Sequence, residues 1–325
     1  MMHVKREQPL LSIVIPNYNY GRFLEDAIWS VLRQCDDKLR LPTGEQIELI
    51  IVDGGSTDNS LEIIQSFSDR LDGVRFGEGE EVLKCESSQV IKLEERILTT
   101  NLELQNPQTR FFWCSEKDRG QSDAFNKGFE HAQGKYLTWV NADDVLVPGA
   151  IHAILCQLRR HPECEWFTGN FYRFNDVTGK VLEIGWGPHI YPRWMQRKNS
   201  PIVSFGPSTI FSKDLWLRNG KVDVDLHLMM DTDMWMRFIV AGVKQRRINH
   251  FVWGFRMHEE SKTAEFGDHK LDADQQRRFA LENQLTVERT GYHCSKFWRF
   301  AVLILRLIDG SLLRRYYYKK VLRRV

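Results

Sequence analysis

The chain has 325 residues, of which 42% are hydrophobic and 27% are charged, and its formal net charge is +2. This composition is that of an ordinary globular protein with room for one large domain and an extension. The nearly balanced charge argues against a general affinity for nucleic acid, and no apolar run reaches the roughly 18–20 residues that a membrane span needs.

Four strands that alternate with helices are predicted in the first half of the chain. The strands are continuous apolar runs rich in β-branched residues, typical of buried parallel strands, and cover residues 10–16, 47–53, 109–116 and 135–141. Helices are predicted at 21–34, 56–67, 120–134 and from Pro148 onward. Alternation at these spacings predicts an α/β fold with a doubly wound, mostly parallel sheet flanked by helices.

Two segments depart from this alternation. Residues 74–108 are polar with a weak two-residue alternation, which predicts an inserted hairpin or flap. After about residue 260 the strand patterns stop, and helices are predicted over 272–290 and within 295–325. The sequence therefore predicts a C-terminal helical extension over residues 261–325.

Polar side chains follow all four predicted strands at their carboxyl ends. These ends are Pro16–Asn19, Asp53–Ser56, Glu116–Gly120 and Asn141–Asp144. In an open parallel sheet such ends meet at one edge, where ligands bind. An aromatic ring, carboxylates and cations in one place suit a nucleotide and a hard divalent metal ion. Because neither GxGxxG nor GxxxxGK[ST] is present, dinucleotide-binding and P-loop sites lose their main support.

These motifs, in this order, resemble those of the family 2 glycosyltransferases, which are inverting enzymes with the GT-A fold. The resemblance covers most of residues 11–160 and resumes at GPSTIFSKDLW (206–216), MDTDMWMRF (230–238) and GFRMHEESKT (254–263). It implies a catalytic domain over 1–260, with a nucleotide half at about 1–145 and an acceptor half at about 146–260. The implied activity moves a sugar from a nucleotide-diphosphate sugar to a glycan or lipid-linked acceptor.

The resemblance also implies a set of nucleotide-binding residues. Asp53 would bind the nucleoside, Asp118 would face it, and Arg119 would reach the diphosphate. A surface ion pair is the alternative for Asp118 and for Arg119. Many relatives carry an arginine where this chain has Phe125, so the missing contact would come from Arg119 or Lys127. The complete predicted set is Pro16, Asn17, Tyr18, Asp53, Asp118, Arg119 and Asn126.

A metal site is implied at Asn141–Asp144, which resembles the family's D-x-D motif with Asn141 in the first position. Asp143 would be the main ligand of Mn²⁺ or Mg²⁺. Asp144 would act through water or orient the sugar, with an Asx turn before the next helix as its alternative. His258 matches a family position that reaches the metal or the diphosphate, although a lone histidine is often structural.

The catalytic base is implied in MDTDMWMRF, where Asp231 takes the base position and Asp233 is the second candidate. An acceptor hydroxyl attacks only as its proton leaves, and a carboxylate within hydrogen-bond reach can accept that proton. Both aspartates also suit a helix N-terminus because of the helix dipole. Trp186 and Trp194 are candidate acceptor-site residues, since aromatic faces stack on sugars.

The last 30 residues, 296–325, are basic and rich in aromatic residues. They contain nine lysines and arginines and one acid, Asp309. This pattern suits either an interfacial helix on an anionic membrane or a terminal helix packed on the catalytic domain. The six cysteines form no CxxC pair and no signal peptide is evident, which predicts a cytoplasmic protein, in solution or on the inner face of the plasma membrane.

Two other functions remain open at this stage. A nucleotidyltransferase would also use a doubly wound sheet with metal-binding carboxylates, but it is expected to carry a glycine-rich and basic first loop. A catalytically inactive, membrane-associated scaffold of the same fold is the other alternative. Loss of the carboxylates at Asp143 and Asp231 would favour the scaffold, and the chain keeps both.

Overall fold

The apolar runs of the sequence form the strands of one sheet. The computed structural model describes residues 8–35, 47–71, 73–76, 109–185, 187, 191–261 and 273–321. The strands are β1 (Leu11–Asn17), β2 (Ile47–Asp53), β3 (Val74–Arg75), β4 (Thr109–Ser115), β5 (Tyr136–Trp139), β6 (Val145–Leu146), β7 (Trp166–Asn175), β8 (Val181–Gly185), β9 (Thr209–Ser212) and β10 (Gln245–Met257). The helices are α1 (Gly21–Leu32), α2 (Ser60–Arg70), α3 (Gln121–His131), α4 (Ala150–Arg160), α5 (Lys213–Arg218), α6 (Met230–Val240), α7 (Ala273–Thr290), α8 (Lys296–Ile308) and α9 (Ser311–Val321).

The sheet order is β3-β4-β2-β1-β5-β9-β7-β10-β6, and β8 pairs with β7. From β3 to β5 every neighbouring pair is parallel. Strand β9 is antiparallel to both β5 and β7, while β10 is parallel to β7. Because the strand direction reverses from β5 to β9 and again from β9 to β7, strands β7 and β10 run in the same direction as β1. Their carboxyl ends therefore meet the tips of β1, β2, β4 and β5 at one edge.

The core lies on both faces of this sheet because successive side chains of a strand point to opposite faces. In β1, Leu11, Ile13 and Ile15 are fully buried in the cluster that contains the apolar faces of α1 and α2. Val14 points the other way, into the cluster formed with α3 and α6. The two layers fix α1 and α3 on opposite sides of the strand tips.

A buried carboxylate holds the opposite, amino-end edge of the sheet. Glu48 Oε2 accepts hydrogen bonds from Ser12 Oγ at 2.5 Å and from the backbone N–H groups of Gln133 and Gly134 at 2.8 and 3.2 Å. A β-carbon on Gly134 would lie 2.4 Å from Ser12 Oγ, so the chain passes too close there for any side chain. This connection leads into β5 and sets where that strand ends.

The four predicted strands and the predicted C-terminal helices are confirmed. Strands β6 to β10 were not predicted in their number or order, and the helix expected from Pro148 begins at Ala150. The sheet is thus parallel through β5 and mixed beyond it. The predicted flap over 74–108 lies outside the described residues except for Val74–Phe76, where β3 adds to the sheet edge.

Candidate active site at the carboxyl edge of the sheet

The tips of β1, β2 and β4 are joined by the carboxylate of Asp53, which is fully buried. Its Oδ1 accepts from Asn17 Nδ2 at 2.7 Å and Ser56 Oγ at 2.5 Å. Its Oδ2 accepts from Ser115 Oγ at 2.6 Å and from Ser56 N–H at 3.0 Å. Four protein donors occupy Asp53, whereas Asn17 Oδ1 is a buried acceptor without a partner in the described part of the chain.

Tyr18 and Asp118 present a ring and a carboxylate over these tips. Tyr18 is 57% exposed. Asp118 Oδ1 accepts from Gly120 N–H at 2.8 Å, and burial raises the pKa of the Asp118 carboxyl. A β-carbon on Gly54 would come within 2.7 Å of Asp118 Oδ2. Residue 54 therefore has to be glycine for the Asp118 carboxylate to occupy its place.

The cations predicted beside these residues lie near the surface. Arg119 pairs with Asp225 at 3.2 Å, and both side chains are largely exposed, so solvent screens the pair. Lys127 Nζ lies 3.0 Å from Glu116 Oε1. Neither cation is held in a buried network.

Asn126 does not face the strand tips. Its side-chain amide is buried, donates to the carbonyl of Val222 at 2.8 Å and accepts from the Val222 N–H at 2.9 Å. Both hydrogen-bonding ends of the side chain are used on the segment that precedes α6. Asn126 therefore fixes that segment, and a nucleotide contact at Asn126 would have to replace these two hydrogen bonds.

The turn Asn141–Asp144 divides its polar groups between a buried and an accessible side. Asp144 is fully buried, its Oδ1 accepts from Arg256 N–H at 2.9 Å, and its Oδ2 accepts from Asn141 Nδ2 at 2.8 Å. Burial, and after it the adjacent Asp143 carboxylate, raise the Asp144 pKa well above its usual value. Both oxygens of Asp144 are thus bonded within the protein, which favours the turn role that the sequence offered as the alternative to a metal-site role.

Asp143 faces His258 on the accessible side of the same turn. His258 Nε2 lies 3.1 Å from Asp143 Oδ2, and the imidazole packs on Phe23 with ring centroids 4.4 Å apart. His258 Nδ1 is buried and has no partner in the described ranges. Burial, and then the Asp143 charge, raise the pKa of the nearby Tyr20 phenol to about 12.

These two side chains fit a hard divalent cation. His258 Nε2 and Asp143 Oδ2 lie 3.1 Å apart, and an imidazole nitrogen and a carboxylate oxygen would together hold a divalent cation in place of the contact between them. Within the described residues no group of three or more His, Cys, Asp or Glu residues forms a complete metal cage. A two-residue set suits an ion whose other ligands are water and diphosphate oxygens.

The turn and His258 are held in place by the buried side chain of Arg256. Its Nε donates to the Asp143 carbonyl at 2.9 Å, Nη1 pairs with Asp176 at 2.8 Å and Nη2 pairs with Asp26 at 2.9 Å. The guanidinium also lies over the ring of Phe23, 5.2 Å from its centroid. Arg256 thereby joins the β5 turn, the end of β7, α1 and β10.

Asp231 lies in the first turn of α6 and lines a small apolar cavity with Phe125, Trp139 and Met234. Its Oδ1 accepts from the N–H of Thr232 at 2.6 Å and from the Thr232 hydroxyl at 3.1 Å. Burial nevertheless raises the pKa of the Asp231 carboxyl above its usual value. A carboxylate in such surroundings is a stronger proton acceptor than one in water.

Asp233 occupies a different environment, although it lies two residues away. It is fully buried, with Oδ2 paired to Arg237 at 2.9 Å and Oδ1 paired to Arg289 at 2.5 Å. Both oxygens of Asp233 are paired with arginines. These pairs favour Asp231 over Asp233 as the candidate base.

Residues 12–82 and 95–214 match the family model for Glycosyl transferase family 2, which covers more than half of the chain. The chain belongs to glycosyltransferase family 2. Members of this family transfer sugars from nucleotide-sugar donors. A curated relative, the glycosyltransferase GlyG of Streptococcus pneumoniae, is 26% identical over 170 residues, which are 52% of this chain and 42% of GlyG. The chain thus spans less than half the length of that relative.

Solved structures show that this family 2 chain has the GT-A fold. Staphylococcus aureus TarS, in a complex with UDP-GlcNAc, has a TM-score of 0.52 at 13% identity, covering 84% of this chain and 65% of that one. The mannosyltransferase PcManGT of Pyrobaculum calidifontis, in a complex with GDP-Man and Mn²⁺, has a TM-score of 0.50 at 12% identity, covering 95% and 79%. At these identities the likeness concerns the fold.

Trp194, a predicted acceptor-site residue, is 65% exposed in the short turn Arg193–Met195. Trp186 lies outside the described residues. Sequence analysis assigned no role to Arg256, Asp26 or Asp176. The arginine two positions before His258 is the one signal that points to this network.

We expect Arg256→Lys to lower the free energy of unfolding by about 1–2 kcal/mol, because a lysine cannot donate to Asp26, Asp176 and the Asp143 carbonyl at once, while the partly buried Asp176 keeps its pair with Arg22. Urea unfolding followed by circular dichroism measures the loss. Arg22→Lys is the matched control, since Arg22 bonds the same Asp176 at 2.9 Å from an exposed position and should cost less than about 0.5 kcal/mol. Equal losses in the two variants would contradict the central role of Arg256.

Proposed function

We propose that the protein transfers a sugar from a nucleoside diphosphate sugar to a hydroxyl group of a glycan or lipid-linked acceptor, with inversion at the anomeric carbon. The observation that carries the proposal is the Asp143–His258 pair, which lies at the same sheet edge as Tyr18 and Asp118. A cation-binding corner beside a ring and a carboxylate is the arrangement that a nucleotide diphosphate requires.

The nucleoside would bind over the tips of β1, β2 and β4. The Tyr18 ring is exposed for stacking, and Asp118 can accept hydrogen bonds from a base or a ribose. Asp53 has its four bonds to the protein, so we assign it the task of holding these tips together. Arg119 can exchange its screened pair with Asp225 for the diphosphate.

Asp143 and His258 would hold Mn²⁺ or Mg²⁺. When bound, the ion neutralises the charge that develops on the leaving diphosphate. Asp144 and Arg256 keep the turn rigid, so the Asp143 carboxylate stays directed at the diphosphate position. Rigid placement matters because a misplacement of about 1 Å can reduce the rate roughly a hundredfold.

Asp231 would act as the general base. The acceptor oxygen forms a bond to the anomeric carbon, its proton passes to Asp231, and the bond from that carbon to the diphosphate oxygen breaks. The electron pair leaves with the diphosphate, and the attack from the opposite side inverts the anomeric centre. Because burial raises the Asp231 pKa, the carboxylate binds the departing proton more strongly than an exposed aspartate would.

The two alternatives find less support in the site. A scaffold without catalysis would not need the Asp231 carboxylate in an apolar cavity, where its burial works against folding. For a nucleotidyltransferase, a cluster of basic groups would be expected on the β1 turn. That turn instead presents Asn17, Tyr18 and Asn19, and Asn19 binds Thr57.

The donor site predicts metal-dependent binding of one nucleoside diphosphate. In isothermal titration with UDP, GDP and dTDP, we expect one of them to bind at least about tenfold more tightly with Mn²⁺ than without it. Asp143→Asn should remove this difference, because the ion loses its carboxylate. The control Asp69→Asn changes an exposed aspartate on α2 and should keep it. A folded protein that binds none of the three would overturn the donor-site assignment.

The base assignment predicts opposite effects of Asp231→Asn on rate and stability. The rate should fall about a thousandfold, and in wild type it should fall as pH drops through the raised Asp231 pKa. Since the folded state binds this proton more strongly, the charged carboxylate costs stability above that pKa. The variant should therefore be more stable at pH 7, with the difference vanishing below about pH 4.

Transfer assays and urea unfolding across pH measure both effects of Asp231→Asn. Asp274→Asn removes an exposed carboxylate from the first turn of α7 and should change neither quantity. An Asp231→Asn variant with the wild-type rate would show that another group takes the proton.

We further propose that the protein attaches peripherally to an anionic membrane through α8. None of the helices in the described ranges is both long and apolar enough to cross a bilayer. One side of α8 packs Val302 and Leu305 on Tyr191 and Met195. The opposite side is an exposed apolar stripe at helical spacing, which we call the α8 stripe: Phe297, Phe300, Leu303, Ile304, Leu307 and Ile308.

The positive charge on and after α8 indicates which kind of surface covers the α8 stripe. Lys296 and Arg299 are exposed on the same helix, and the sequence from 296 to 325 carries nine basic residues and one acid. Two copies of this face would repel one another, whereas an anionic lipid surface complements it. A lipid-linked acceptor would then be presented beside the catalytic edge.

Leu303→Asp combined with Leu307→Asp should reduce sedimentation with vesicles of equal parts phosphatidylglycerol and phosphatidylcholine by about tenfold or more. Leu281→Asp with Leu285→Asp is the control, because these leucines are also exposed and also four residues apart, on α7. Wild type should bind pure phosphatidylcholine vesicles much more weakly. Absence of binding to both vesicles, or a dimer that the α8 variant dissociates, would overturn the membrane assignment.

A further inference from the structure

Helix α7 packs on the body of the protein through the partly buried Phe279 and Val287 and through two buried polar side chains. Of its 18 residues, Glu282 and Thr286 are buried. A buried carboxylate is costly unless several donors satisfy it, so Glu282 has to be matched to specific partners. The predicted boundary at residue 260 places α7 in the C-terminal extension, yet its buried residues contact the segment that carries Asp231.

Glu282 binds the chain immediately before α6. Its Oε2 accepts from the N–H groups of Leu228 at 2.8 Å, Met229 at 3.0 Å and His227 at 3.1 Å. The N-cap residue of α6 is Met229, whose side chain provides no cap. A helix start leaves backbone N–H groups without partners inside the helix. Glu282 thus stabilises the entry to α6 from a different helix.

Arg289 makes the second contact from the same side of α7. It lies seven residues after Glu282, two turns further along the helix. Arg289 Nη2 pairs with the buried Asp233 at 2.5 Å, and Nη1 pairs with Asp223 in the segment before α6. Glu282 therefore holds the chain just before Asp231, and Arg289 holds it just after.

We propose that Glu282 and Arg289 are positioning residues that set the place of the Asp231 carboxylate, which makes α7 part of the catalytic unit. The inference rests on the proposed role of Asp231 as the base. Two apolar surfaces can slide slightly against each other without losing their contact. The Glu282 carboxylate, with three N–H donors, and the Arg289 guanidinium, between two aspartates, keep their hydrogen bonds in only one relative position of the two helices. This arrangement holds α6 at the accuracy that proton transfer demands.

Glu282→Gln tests the proposal, because the amide keeps the size but loses the charge and one acceptor. We expect kcat to fall at least about tenfold, with KM for the donor changed less than about twofold, since Glu282 bonds to none of the residues proposed to bind the nucleotide or the metal. Glu288→Gln is the matched control: Glu288 is exposed on α7, accepts from Gln284 on the same helix and should leave both constants unchanged.

A double-mutant cycle separates positioning from a general loss of folded protein. In the Asp231→Asn background, Glu282→Gln should have little further effect, because the base it positions is already absent. Arg289→Lys, at a half-exposed site, repeats the test without burying a new group. Nucleotide titration gives the fraction of folded sites in each variant.

The outcomes distinguish the two assignments. If Asp231→Asn alone keeps the wild-type rate, the base assignment fails and this inference fails with it. A second outcome is that Asp231→Asn loses activity, while the Glu282 and Arg289 variants either lower the rate equally in both backgrounds or do not lower it. In that case Asp231 is the base, but the positioning role of Glu282 and Arg289 is wrong. Loss of kcat in wild type that disappears in the Asp231→Asn background supports the role.

Discussion

The guanidinium of Arg256 is the contact on which the catalytic edge depends. It satisfies Asp26 from α1 and Asp176 from the end of β7, and it binds the carbonyl of Asp143. The backbone N–H of Arg256 also donates a hydrogen bond to the Asp144 carboxylate. Two carboxylates in one turn repel each other and resist burial, so the turn needs a cation that is itself fixed. The planar, forked donors of arginine meet that need and a single ammonium group does not.

Carboxylates at this edge differ in availability because their local partners differ. Asp53, Asp144 and Asp233 are fully buried and have their oxygens bonded to the protein. Asp143 faces one histidine, and Asp231 faces an apolar cavity with Thr232 as its hydrogen-bonding neighbour. The carboxylates whose oxygens are all hydrogen-bonded hold the strand tips and helix α6 in place. Asp143 and Asp231, which have fewer partners, keep the capacity to bind a cation or a proton.

The strand tips were predictable because apolar runs of β-branched residues mark buried strands and polar residues follow each run. The sequence placed Tyr18, Asp118 and Asp143 at one edge for this reason. It gave no sign of what binds Asn126 and Asp144, because these partners lie far along the chain: Asn126 binds a residue 96 positions away and Asp144 one 112 positions away. Glu282 carried no signal at all, since a lone glutamate in a polar helix is usually a solvated side chain.

The direction of β10 has a consequence for how the enzyme is made. His258 meets Asp143 across 115 residues, and Arg256 meets Asp26 across 230. Contacts between such distant residues form late, because a long loop has to close before they are gained. During synthesis the strands β1 to β5 emerge before Arg256 and His258 are available. The pair of Asp143 with His258 forms only after residue 258 has been translated, so nascent chains should pass through a stage in which these strands are folded but the pair is absent.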